Sequence, residues 1–251
     1  MSQELFVRNP HSILEALKGR PKEVVEITLP RDRLEGPWLQ IQALAERHRI
    51  RMSQGSKDAP RSRDRNRGPQ GNPGRESGHG ALIRPKSPIS IETLLDGVTE
   101  QDRGVWMALD CLQDPQNLGA IFRAAAFFGI RGIIMTTERS APMTATVYDI
   151  AAGGVEHVPM VHAINLKQAL EKAKEAGLWI LGTSEHAKES LAKVDRDRNW
   201  LVVVGNEEKG IRRLTEESCD VICSIPPSGD GVTSLNVSVA TGILLFHLSS
   251  N

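Results

Sequence analysis

Three short stretches carry side chains that could act on a bound ligand. The first, DPQNLGAIFRAAAFFG from Asp114 to Gly129, has one apolar helical stripe of Leu118, Ile121, Phe122 and Ala125, with Asn117 where an N-cap is expected. Arg123 lies off that stripe, about 9 Å along the helix from Asn117 at a rise of about 1.5 Å per residue. Long helical side chains lean towards the N-terminus, so its guanidinium either reaches a ligand at the helix start or remains a surface arginine. In the second stretch, VVVGNEEKGIRRL from Val202 to Leu214, an apolar strand opens into Gly205, Asn206, Glu207 and Gly210. Such glycines turn the chain sharply or let backbone approach a ligand, although an ordinary strand-to-helix loop reads the same way. The third, SIPPSGDGVTSLNVSVATGILLF from Ser224 to Phe246, ends a strand, passes a Gly and Pro loop and places Ser234 and Asn236 before a last helix, where capping is the preferred reading of this loop on its own. Neither a Walker A loop nor a G-x-G-x-x-G after the first strand is present, which excludes those two phosphate cradles.

The elements that must position these loops alternate. Strands are expected at Val105 to Leu109, Gly132 to Thr136, Pro159 to His162, Trp179 to Gly182, Leu201 to Val204 and Val221 to Ile225. Helices are expected at Asn117 to Phe128, Ala145 to Ala152, Leu166 to Ala176, near Thr215 and from Asn236 to Leu248. Strands that are continuous apolar runs predict an α/β domain with a parallel sheet covered on both faces. Ligands in such sheets sit beyond the carboxyl ends of strands, where the three stretches lie. The last helix is apolar on nearly every side, so it must be buried around most of its circumference, which suggests a subunit interface.

The front of the chain reads differently. Residues 5–52 suggest a small α/β sandwich, with strands near Leu5 to Val7, Val24 to Leu29 and Ile50 to Met52 and helices near His11 to Leu17 and around Trp38 to Ala45. From Gly55 to Gly80 the composition is Gly, Pro, Ser and Arg with almost no large apolar residue, so it cannot pack a core. The boundaries expected are residues 1–54 for the first domain, 55–90 for a linker and 91–251 for the second domain. Arg61, Arg63, Arg65, Arg67 and Arg75 make the linker either a plain tether or one that also grips RNA backbone. Residues 1–90 hold 17 Lys+Arg against 10 Asp+Glu and residues 91–251 hold 14 against 21, a +7 front on a −7 back that suggests a polyanionic partner for the front.

Other classes are disfavoured. The start, MSQELFVRNPHS, lacks a basic-then-apolar signal, and no apolar run is long enough to span a bilayer, so a cytoplasmic protein without a membrane partner is expected. Cys111, Cys219 and Cys223 form no C-x-x-C pair and read as small core residues rather than a disulfide or zinc framework.

Taken together, N-L-G-A-x-x-R, G-N-E-x-x-G and I-P…S-L-N-V-S-V-A resemble the three motifs of the SpoU branch of the SPOUT RNA methyltransferases, from about Val105 to the C-terminus. N-P-x-x-x-x-E-A-L at Asn9 to Leu17 and A-A-G-G-V-E-H-V-P at Ala151 to Pro159 extend the likeness to bacterial large-subunit rRNA guanosine 2′-O-methyltransferases. The resemblance implies a C-terminal trefoil knot, a first domain similar to ribosomal protein L30e that helps bind RNA, and a homodimer. It implies S-adenosylmethionine as methyl donor, no metal, and 23S rRNA as partner, the donor being held by loops around Thr183, Gly205, Asn206, Gly210, Ile225, Pro226 and Leu235. Arg123, Asn117, Glu207, Ser234 and Asn236 would line the reacting centre, with Arg123 either taking the ribose proton or clamping a phosphate. The alternatives are transfer RNA as substrate, a thiostrepton-resistance type of rRNA methylation, or a non-catalytic ribosome-assembly factor. The chain departs from the family's pattern at Glu208, where Gly is frequent, at Asp149, where a lysine is common, and in a 226–234 loop one residue longer, with Asp230 inside it.

Overall fold

The computed structural model describes residues 4–55, 78–99, 101–229, 231–232 and 234–249. They form two compact units, Met1–Pro85 and Lys86–Asn251.

The first unit contains β1 (Leu5–Val7), α1 (Pro10–Gly19), β2 (Val24–Leu29), α2 (Pro37–His48), β3 (Arg51–Gln54) and β4 (Gly80–Ile83). Asn9 caps α1 by accepting from the His11 amide at 2.9 Å, and Pro10 fits the first helical position, where no N–H is needed. The buried Ile13, Leu14, Ala16 and Leu17 form the helix's inward face. The sheet order is β1-β4-β2-β3, with β4 antiparallel to both neighbours. This corrects the expected boundaries, because β4 falls inside the stretch read as linker and extends the first unit to Pro85. Four residues, GALI, gave too short a periodic signal beside the Arg-rich run, yet Ala81 and Ile83 are fully buried. The five arginines of the expected tether lie outside the described residues.

The second unit runs α3 (Ile91–Leu95), β5 (Val105–Leu109), α4 (Pro115–Phe127), β6 (Ile133–Thr136), α5 (Ala145–Ala151), α6 (Gly154–His157), β7 (Met160–Ala163), α7 (Leu166–Glu175), β8 (Trp179–Thr183), β9 (Glu189–Ser190), β10 (Trp200–Val204), α8 (Arg213–Glu216), β11 (Val221–Ser224) and α9 (Val237–Ser249). Its seven strands pair in parallel in the order β7-β6-β5-β10-β8-β11-β9. Trp106, Ala108, Ile134, Leu201 and Val203 pack with Leu166, Ala169, Leu170 and Ala173 of α7 on one face. The intervening Val105, Met107 and Leu109 are buried as well, as alternation requires of a sheet covered on both sides. The six expected strands and five expected helices are all present within a residue or two, whereas α3, α6 and β9 are too short to have shown a period.

One expectation fails in this unit. Asp114, not Asn117, caps α4, accepting from the Gln116 amide at 2.8 Å with Pro115 behind it. An Asp-Pro pair is the stronger helix start, and it leaves Asn117 inside the first turn. In helix α9 the chain itself buries Thr241, Leu244, Leu245 and Leu248 and leaves Val239, Ile243 and Phe246 exposed on one side. Phe246 meets Phe128 edge-on at 6.5 Å, and Phe128 meets the exposed Phe127 at 5.1 Å, so an apolar strip remains on the surface of the chain.

If β4 is a core strand, Ile83→Ala should destabilise the first unit by about 2–4 kcal/mol. Hydrogen exchange should show lost protection at Val7 and Ile27 with Val202 unchanged, and a change under about 0.5 kcal/mol would remove β4 from the core.

Candidate active site

The loop leaving β10 is closed on itself. Asn206 and Gly210 exchange backbone hydrogen bonds at 3.0 and 2.9 Å, and the Asn206 side-chain oxygen accepts from the amides of Glu208 and Lys209. Gly210 has φ of 66°, the left-handed region that favours glycine. Gly205 is demanded by space, because a Cβ there would lie 2.0 Å from the Gly210 carbonyl carbon. The closed loop is then fastened to β5. Asp110, fully buried just beyond that strand, accepts from Nε of Arg212 at 2.7 Å and from the Arg212 amide at 3.0 Å, with Nη2 of the same guanidinium 2.7 Å away as an ion pair. Cys111 follows with φ of 61°, unusual for a residue with a side chain, and its carbonyl accepts from Asn206 Nδ2 at 3.2 Å.

Glu207 reaches from this loop to the start of α4. Its carboxylate accepts from the Asp114 amide at 3.1 Å, the Gln113 amide at 3.4 Å, Asn117 Nδ2 at 3.2 Å and Asn206 Nδ2 at 3.2 Å. Burial works against the charge, but the hydrogen bonds from its own backbone, Asn117, Asp114 and Gln113 outweigh it and hold the carboxyl below its usual range. Asn117 Oδ1 in turn accepts from Asn236 Nδ2 at 3.0 Å. Asn236 also caps α9, its oxygen accepting from the Ser238 amide at 2.9 Å. One chain of side-chain hydrogen bonds, Asn236 to Asn117 to Glu207, therefore joins all three sequence stretches.

Beside it lies a cleft of about 860 Å³ at the carboxyl ends of β8, β10 and β11, walled by the loops that follow them and by the first turns of α9. That volume suits a ligand of cofactor size. Its lining includes apolar Ile225, Leu235 and Val237 and polar Thr183 and Ser184. Among the described residues no group of His, Cys, Asp and Glu could hold a metal ion.

With this geometry in hand, comparison with known proteins is decisive: the sequence profile of the SpoU rRNA Methylase family matches residues 104–246. The chain belongs to the SpoU rRNA methylase family. It is 36% identical over 250 residues to the 23S rRNA (guanosine-2′-O-)-methyltransferase RlmB of Pseudomonas aeruginosa, covering 99% of this chain and 97% of that protein. It is 35% identical to the protein of the same name from Nitrosomonas europaea, covering 98% of this chain and 92% of that one. The fold is similar to that of the SpoU methyltransferase AviRb from Streptomyces viridochromogenes in complex with AdoMet, with a TM-score of 0.73, 20% identity, and coverage of 98% of this chain and 89% of that one.

All seven residues expected to hold a donor in this SpoU chain, namely Thr183, Gly205, Asn206, Gly210, Ile225, Pro226 and Leu235, line the one cleft, and so do Glu207 and Ser234. Asn117 and Asn236 stand behind Glu207 rather than on the wall. Arg123 is not brought to the cleft; it is exposed on α4 and, among the described residues, makes no hydrogen bond or ion pair. Of the departures from the family's pattern, Glu208 lines the cleft, Asp149 sits half-buried on α5 away from it, and Asp230 lies outside the described residues. Sequence reasoning missed Asp110 and Arg212; an acid directly after an apolar strand, with a cation beyond the glycine loop, was the available signal.

The lowered Glu207 carboxyl carries a pH signature. The unfolded chain binds its proton more readily near the ordinary value of 4.5, so the stability Glu207 lends is complete above about pH 4.5 and is lost as pH falls through the lower folded value. Urea unfolding of the protein and of Glu207→Gln should therefore differ most at neutral pH and converge below about pH 4.5; a gap that stays constant would contradict this.

Proposed function

We propose that this chain transfers a methyl group from S-adenosylmethionine to the 2′-hydroxyl of a guanosine ribose in 23S rRNA. The observation that carries the reading is the Asn236–Asn117–Glu207 chain, which gathers the three motif stretches at the rim of one cofactor-sized cleft. A module that only binds RNA has no need of such a cleft. Full-length likeness to proteins named as 23S rRNA guanosine methyltransferases supports the target.

The donor, when bound, would supply an electrophilic methyl carbon that passes to the ribose oxygen as the carbon–sulfur bond breaks, its electron pair staying on sulfur and the hydroxyl proton passing to solvent water. The residues present fit it: backbone groups of Gly205 to Gly210 and of Ile225, Pro226 and Leu235 would hold it, and apolar Ile225, Leu235 and Val237 would exclude water from one side. Glu207 fixes the entry to α4 so that the helix presents Arg123 in a constant direction. Arginine keeps its charge in proteins, so Arg123, exposed on α4 outside the cleft, clamps a phosphate of the bound RNA rather than holding the proton. Positioning then carries most of the rate.

The finer expectations belong to the same proposal. The C-terminal segment threads a trefoil knot, and the first unit, revised to residues 1–85, is L30e-like and contacts RNA with its basic surface. A homodimer covers Val239, Ile243, Phe246 and Phe127, the apolar strip left on the single chain. The protein acts in the cytoplasm; among the described residues no helix is long and apolar enough to cross a membrane.

Mapping ribose methylation over all ribosomal and transfer RNA, with and without the protein, should show the loss of one guanosine mark in 23S rRNA; an unchanged map, or a mark lost only from transfer RNA, overturns the assignment. Arg123→Ala should lower the methylation rate about 10²-fold, while calorimetry finds donor affinity within about twofold of the parent. A rate close to the parent's would remove Arg123 from the reacting centre.

A further inference from the structure

We infer that the acidic lining of the cleft separates the methyl donor from its spent product by charge, with Glu208 and Glu216 as the residues responsible. This rests on the donor reading above. Among the described residues four carboxylates line the cleft, Glu185, Glu207, Glu208 and Glu216, against one strong cation, Lys209. Glu207 is committed to α4, and Glu185 has His186 at 3.6 Å. Among the described residues neither the Glu208 nor the Glu216 carboxylate makes a hydrogen bond or an ion pair, so no direct partner among them offsets either charge.

The chemistry makes that charge selective. S-adenosylmethionine has a sulfonium, an ammonium and a carboxylate, for a net charge of +1. After transfer the sulfur is a neutral thioether, and S-adenosylhomocysteine has no net charge. A negative cleft therefore loses attraction for the ligand at the moment the methyl group departs, which favours product release over product inhibition. The remaining contacts, to adenine, ribose and the amino-acid end, are common to both ligands and cannot discriminate. Glu208 is well placed for the task, on the rim of the closed loop between Asn206 and Gly210 and free to point at whatever occupies the cleft.

The test is calorimetric titration of the full-length protein, Glu208→Gln, Glu216→Gln and the double variant with three ligands: S-adenosylmethionine, S-adenosylhomocysteine and sinefungin, whose amine restores the positive charge without the sulfonium. Each charge removed should weaken donor and sinefungin about 2- to 5-fold relative to S-adenosylhomocysteine. The unaltered protein provides a second measurement that no misfolded variant can spoil: raising salt from about 0.05 to 0.5 M should weaken the two cationic ligands and leave the neutral one nearly unchanged. Equal changes for all three ligands overturn the inference while leaving the cleft a donor site. No binding of S-adenosylmethionine by the unaltered protein overturns the inference and the donor reading together, and sinefungin following S-adenosylhomocysteine would show that methyl shape, not charge, is read.

Discussion

The catalytic end of the second unit depends on one carboxylate. Glu207 leaves the end of β10, yet its oxygens are satisfied by amides and an asparagine at the start of α4. The first amides of a helix have no partners within it and carry the positive end of its dipole, so a negative side chain settles there favourably. The consequence is geometric. The loop that walls the cleft and the helix that carries Arg123 cannot move independently, and Asn117 passes the constraint on to the cap of α9.

Such a bridge works only if both its ends are rigid. At the β10 end, rigidity comes from backbone pairing of Asn206 with Gly210, from the close approach that only a glycine at 205 permits, and from the bidentate hold of Asp110 on Arg212. A buried carboxylate without such a partner would be strongly destabilising, and Asp110 is satisfied by one residue, accepting from the amide and Nε of Arg212 beside the ion pair to Nη2. At the helix end, Gly119 lets α5 close on α4, since a Cβ there would sit 2.9 Å from the Val147 carbonyl oxygen. A glycine inside a helix costs about 1 kcal/mol, and here close packing of two helices offsets it.

Much of this was legible in the sequence because the strands of the second unit are unbroken apolar runs and its main helices show full periods. The cleft residues were legible from motif resemblance more than from physics, since Gly205 and Ser234 look like any turn or cap. What escaped was what depends on distant partners. Asn117 read as a cap because capping is local, whereas its actual partners are Glu207 and Asn236, far along the chain. Four apolar residues after an arginine-rich run read as linker because only the pairing of β4 with β1 and β2 reveals a strand. The composition of α9 calls for cover around the helix but says nothing about which side its own chain supplies.

The place of β4 in the first sheet has a consequence for biosynthesis. Although it lies between β1 and β2, it is the last of the four strands to leave the ribosome, after residues 56–77 have been made. Until then β1 and β2 have no common neighbour, so the nascent first unit must wait with its sheet unfinished. Closing a longer excursion adds little, about 0.6 kcal/mol for each doubling of length, so the span between β3 and β4 is free to grow or shrink over evolutionary time while the strand it delivers is not.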